Sequence, residues 1–207
     1  IKMTATMKIQ AMELPMEMTR LKDGRSHSVA SVQGMKFNQN VFDGTTLWST
    51  NQQTMKAEKS DAESTANYKA NEANEFPDSF LDYKKLGYKL ELIGKETVEG
   101  TETFKLKLTK KPTKVDGKEV ENVEFYYFDT ENFVPVLMES EVKAGPAKGI
   151  VSQVKTSDYQ DVNGLMFPFT IVQGAKGQPG GLNIVISKIE LNPKVEASLF
   201  AFPTGGK

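Results

Sequence analysis

The sequence predicts a mainly β protein of the α+β type: a curved antiparallel sheet with helices from about residue 58 to 86 laid across it. Two observations lead there. Apolar residues recur at every second position, as in Met3, Ala5, Met7 and Ile9, then Phe104, Leu106 and Leu108, then Leu182, Ile184 and Ile186. That period belongs to strands with one dry face and one wet face. At about 58–86 the apolar spacing turns helical instead. A curved sheet under a helical lid is a container, a design suited to binding more than to chemistry.

Each element follows from local signals. The first strand, about Met3 to Glu13, changes parity: Met3, Met7 and Ile9 are odd, whereas Met12, Leu14, Met16 and Met18 are even. A bulge or turn near Glu13-Leu14-Pro15 would return the apolar side chains to one face. Lys22-Asp23-Gly24-Arg25 reads as a hairpin turn, and Val41 to Trp48 as two short strands around Asp43-Gly44. Ser60 and Glu63 form a capping box that opens the insert. Ala62, Ala66, Ala70 and Ala73 follow at helical spacing, a small-residue stripe that lets a helix lie close to what it covers. Pro77 ends it. Phe76, Phe80, Leu81 and Leu86 suggest a second, shorter helix stopped by Gly87. Strands are then expected at about 88–98, 102–111, 120–128, 134–142, 149–160, 165–173 and 182–191. Asn163-Gly164 is the strongest hairpin signal among their turns. No linker is long enough to divide the chain, so 1–207 is expected to be one domain.

Composition narrows the function. The 207 residues hold 26 Lys and Arg against 27 Asp and Glu, a net charge of -1, and no cysteine. Disulfides and thiolate metal sites are excluded, and nothing resembles the clustered cations that nucleic acids require. Lys110, Lys111 and Lys114 read as solvated loop charge. No apolar run approaches the roughly 20 residues of a membrane-spanning helix. A membrane barrel is disfavoured because the alternate strand face is polar, as in Lys105, Lys107 and Thr109. The chain starts at Ile1 inside a strand, so a mature fragment without its signal peptide or lipid-bearing N-terminus is expected.

Catalysis finds little support. His27 stands between Ser26 and Ser28, but strand neighbours point to opposite faces and make no nucleophile pair; the expectation is an exposed residue beside a turn. One histidine and no cysteine leave only oxygen ligands for a metal. Asp129, Glu131 and Asn132 fit a turn better than a cation site. Asp158 and Asp161 could pose as a glycosidase carboxylate pair, yet they flank a hairpin and suit turn geometry. Neither a catalytic residue nor a cofactor is expected.

Methionines and aromatics give the better lead. Six of the nine methionines, Met3, Met7, Met12, Met16, Met18 and Met35, fall within the first 35 residues. Methionine fills irregular volumes and adapts to varied apolar ligands. The cavity candidates are Met7, Ile9, Met16, Met18, Phe42, Trp48, Leu90, Phe104, Leu106, Phe125, Phe167 and Phe169, with Tyr88 beside them. The lid candidates are Ala62, Ala66, Ala70, Phe76, Phe80 and Leu81. Ordinary core packing is the competing reading for each.

Several segments resemble the LolA/LolB-like outer membrane lipoprotein-sorting proteins. They are Phe42 to Trp48, Gly94 to Leu106, Tyr127-Phe128-Asp129 with Val134-Pro135-Val136, Asp158 to Pro168, Ile189 to Pro193 and Leu199 to Pro203. The resemblance implies an incomplete antiparallel barrel whose concave apolar face is covered by helices. It also implies a place in the periplasm or at the outer membrane of a Gram-negative bacterium, with peripheral rather than integral membrane contact. The implied function is non-catalytic binding of a lipid, acyl chain or lipidated protein, in lipoprotein sorting. An envelope protein partner is the second expectation: a protein-interaction or envelope-stress sensory module of the same fold without lipid. A paired-carboxylate hydrolase is the third.

Overall fold

A computed structural model describes residues 1–9 and 12–203. Contacts divide the chain into two compact units: Ile1–Asp82 with Ile186–Lys207, and Tyr83–Val185.

In the first unit the strands are β1 (Lys2–Ile9), β2 (Met12–Arg20), β3 (Ser26–Val32), β4 (Met35–Phe42), β5 (Leu47–Thr50) and β6 (Ala57–Lys59). Helix α1 (Ala62–Ala70) and a 3-10 turn (Glu72–Asn74) follow. The parity change of the sequence marks a strand boundary, not a bulge. Ile9 pairs with Met12, Met7 with Leu14, Ala5 with Met16 and Met3 with Met18, so odd and even apolar positions meet on one face after the chain reverses. Pro15 sits in β2 opposite Thr6. Antiparallel pairing continues from β2 through β6.

The insert begins as strand β6. Asp61 caps α1, its carboxylate accepting from Ser64 N at 2.7 Å and from Ser64 Oγ at 2.7 Å, one residue later than the expected Ser60. No α-helix forms over 78–86, which consists of turns. Asp78 Oδ1 accepts from Phe80 N and Leu81 N at 2.7 and 3.0 Å, a local side-chain bond that competes with helix formation.

The second unit holds β7 (Lys89–Val98), β8 (Thr101–Thr109), β9 (Thr113–Val115), β10 (Lys118–Val120), β11 (Val123–Asp129), β12 (Pro135–Glu141), β13 (Val151–Val162) and β14 (Leu165–Ala175). The last strand, β15 (Leu182–Glu190), begins here and runs on into the first unit. Strands β9 and β10 form a small hairpin of their own. All others join one antiparallel sheet of 13 strands, ordered β6-β5-β4-β3-β2-β1-β15-β14-β13-β12-β11-β8-β7. The order is open, with β6 and β7 as its edges. At Asn163-Gly164, φ values of 54° and 85° fit the two-residue turn that joins β13 to β14.

Candidate functional site

Strand register sorts the side chains by face, because directly opposed residues point the same way. In the first unit one face carries Met3, Ala5, Met7 and Ile9 of β1 with Met18, Met16, Leu14 and Met12 of β2. It continues through Ala30 and Ser28 of β3 to Phe37 and Phe42 of β4. This methionine face includes the predicted Met7, Ile9, Met16, Met18 and Phe42. Met7, Met16 and Phe42 are buried, and Ile9 and Met18 half-buried.

Trp48 lies on the other face. It pairs with Val41, which pairs with His27, which pairs with Thr19. There Trp48 packs with Val41 and Phe200, flanked by Leu21, Val195 and Phe202, and its indole N–H donates to Phe200 O at 3.1 Å. The ring of Phe202 meets it edge-on at 5.7 Å. Trp48 is a core residue of a cluster closed by the C-terminal segment.

Helix α1 approaches the methionine face through a tyrosine, not through its alanines. Tyr68 tilts against Phe42 with ring centroids 5.0 Å apart, and its Oη lies 2.7 Å from Ser26 Oγ. Ser26 and Phe42 are a register pair on that face. Ala62 and Ala66 are exposed and Ala70 is half-buried. None of the helix residues is fully buried. Beyond the helix, Arg20, on the same face as Met18, donates to the carbonyls of Glu72 and Glu75 at 3.3 and 2.8 Å. Gly24 sits so close to Ala73 that a Cβ there would stand 2.5 Å from its carbonyl oxygen, which excludes any larger residue. Phe76 and Phe80 are half-buried, whereas Leu81 is 67% exposed.

In the second unit, Leu90, Leu106 and Phe104 share one face with Leu92, Leu108, Tyr126 and Phe128. Across β12 and β13 that face continues to Met138, Val154, Ile171 and Ile184. Phe167 and Phe169 join it by alternation with Ile171. Phe125 does not: it pairs with Lys107 and Glu139, on the face that holds Tyr127. Lysine Nζ of residue 105 stands 5.4 Å from the Phe125 ring centroid and 5.1 Å from that of Tyr127. On this second face the buried Glu139 accepts from Tyr127 Oη at 3.0 Å, Gln153 Nε2 at 2.7 Å and Lys176 Nζ at 2.9 Å. Burial alone would raise its carboxyl, but these hydrogen bonds outweigh it and hold the group below its ordinary value.

Three expectations about polar residues change or gain a cause. His27 is 9% exposed, not a surface residue. Its Nε2 lies 3.0 Å from Asn38 Oδ1, and burial lowers its pKa. Lys110 is buried too, its Nζ 2.8 Å from Glu124 Oε1 on the Leu108 face, where Tyr126 Oη donates to Glu124 at 2.8 Å. The carboxylates weighed for catalysis or a cation have local partners, Asp161 and Asp129 in turns and Asp158 within β13. Asp161 accepts from Gly164 N, Asp158 from Gln160 Nε2, and Asp129 from Glu131 N and Asn132 Nδ2. Among the described residues no group of three His, Asp or Glu is placed to hold a metal ion, and no helix is long and apolar enough to cross a membrane.

Two clefts of about 330 Å³ lie away from the predicted cavity residues, Phe125 apart. One is lined by Thr19, His27 and Lys194 in the first unit, the other by Lys107, Phe125 and Glu139 in the second.

No protein-family model matches the sequence, and no curated protein matches it. Solved structures do match. A LolA superfamily protein of Nitrosomonas europaea is 12% identical, with 97% of this chain and 88% of that chain covered and a TM-score of 0.61. A candidate outer membrane lipoprotein-sorting protein domain from Vibrio parahaemolyticus is 11% identical, with 96% and 88% covered and a TM-score of 0.59. A DUF1329 family protein from Desulfovibrio piger is 15% identical, with 97% and 88% covered and a TM-score of 0.59.

Proposed function

From the LolA-like fold that these likenesses establish, we propose that this chain is a non-catalytic binding protein of the bacterial cell envelope. It shelters an acyl chain, of a lipid or of a lipidated protein, on the methionine face beneath α1. The observation that carries this reading is the way the helix sits. A layer packed permanently on a sheet buries a stripe of its own side chains; α1 buries none. It is held by Tyr68 and, beyond its end, by Arg20 on two carbonyls. Such a cover can lift without dismantling a core, and the face below it is built of thioethers and small residues that adjust to a chain of varied shape. Binding draws on about 25 cal/mol per Å² of apolar surface removed from water, less the cost of ordering the ligand. The names of two of the matched proteins, LolA superfamily and lipoprotein sorting, are in keeping with an acyl ligand.

Native mass spectrometry of the purified chain, followed by organic extraction, tests the proposal. A co-purifying acyl species near one per chain, or saturable uptake of added palmitate, is expected. A clean apo mass with no uptake overturns it and leaves a protein-interaction module of the same fold.

A further inference from the structure

We propose that the methionine face is also a binding site for a soft monovalent cation, copper(I) or silver(I), held by thioether sulfurs. Strand positions favour β-branched and aromatic residues, yet this face places Met3 directly opposite Met18 on β1 and β2. Met16 follows one pleat along β2, beside Ala5. Directly opposed Cβ atoms lie about 5 Å apart and diagonal ones about 7–8 Å, within reach of unbranched side chains with three rotatable bonds. The neighbours are small: Met16 stands between Ala5 and Ala30, and Met18 faces Ser28 across β3. Met7 and Met16 are buried, and Met3 and Met18 half-buried.

Met7 shows where its sulfur points. Gln39 Nε2 donates to Met7 Sδ at 3.8 Å, and Gln39 Oε1 accepts from Ser28 Oγ at 3.3 Å. The Met7 sulfur is thus turned across β2 and β3, toward the rows that hold Met16 and Met18. The chemistry of this donor set selects the ion. Thioethers are soft ligands that suit copper(I), whereas carboxylate, carbonyl and water oxygens suit magnesium, calcium and manganese. Glu13 and Glu17, the acidic residues of β2, point to the opposite face. Arg20 is the cation on these rows of β2, and its guanidinium is drawn away to the carbonyls of Glu72 and Glu75.

The triple variant Met7→Leu, Met16→Leu, Met18→Leu separates sulfur from apolarity, since it keeps volume and hydrophobicity. Titration with silver(I) nitrate in chloride-free buffer, read by calorimetry and native mass spectrometry, is expected to give one ion per wild-type chain. The triple variant should lose at least about 100-fold in affinity, more than the 10–100-fold typical of groups that merely orient a ligand. Palmitate uptake is measured separately on the wild-type chain, so that failure here and failure of acyl binding are distinct results. Should the variant not fold, methyl NMR of methionine-labelled wild type decides. The Met3, Met7, Met16 and Met18 signals should move with silver(I), while that of Met138 stays fixed. Absence of binding by wild type, equal binding by the variant, or shifts confined to the exposed Met12, Met35, Met55 and Met166 overturns the proposal.

Discussion

Lys110 and Glu124 meet at 2.8 Å with side-chain exposures of only 4% and 14%, so neither charge has much recourse to water if its partner goes. Breaking such a pair from one side typically costs about 3–5 kcal/mol, because a buried charge is left uncompensated. Lys110→Met should therefore lower urea-unfolding stability by that order. Adding Glu124→Met should recover most of the loss, which a plain packing role for Lys110 would not allow. His27 gives a different signature. Burial lowers its folded pKa below the unfolded value of about 6.5, so the folded state favours neutral imidazole. Its stability contribution is whole above that value and is lost as pH falls from there through the lowered folded pKa. Denaturation midpoints measured down that range should fall for wild type and fall less for His27→Gln. Sequence pattern misses both groups for one reason: polarity near a turn reads as exposure. Lys110 lies one step past the apolar alternation of Leu106 and Leu108, and His27 between two serines. Pairing partners on other strands decide their burial.

The insert shows how far element-level signals reach. Asp61 with Ser64 makes a readable cap, and α1 lies where helical spacing begins. The alanine stripe misleads, since small residues say nothing about which side of a short helix meets the sheet; Tyr68 makes that contact. The stretch over 78–86 had helical spacing, but a single Asp78 carboxylate on two backbone amides sends it into turns. Arg20 gave no signal at all, because its partners are carbonyls more than 50 residues away. It now makes a firm expectation. Arg20→Ala should speed amide exchange over residues 62–75 while leaving β1 to β4 protected, and should speed acyl exchange in a stopped-flow assay. Unchanged exchange in that segment would remove Arg20 from any part in holding the cover. The parity change in the first twenty residues was visible, but a bulge and a strand reversal give the same pattern; only pairing partners separate them.

For the whole molecule, alternating strands and turn residues made the antiparallel sheet legible, down to the Asn163-Gly164 hairpin. Face assignment was less so: Trp48 and Phe125 share their composition with true neighbours of Phe42 and Phe104, yet register puts each on the reverse side. Trp48→Ala should cost about 3–5 kcal/mol of stability without altering acyl affinity in the protein that remains folded, a split read by thermal melts and palmitate titration. The partner of Trp48 also fixes a timetable. Its indole bonds to Phe200, 152 residues later in the chain. At roughly 5–20 residues per second, a growing chain makes its first six strands about seven to thirty seconds before the residue that closes their core exists. During that interval the cluster of Trp48 and Val41 lacks the Phe200 that completes it. The core around Trp48 therefore locks only after the last strand, β15, has been synthesised.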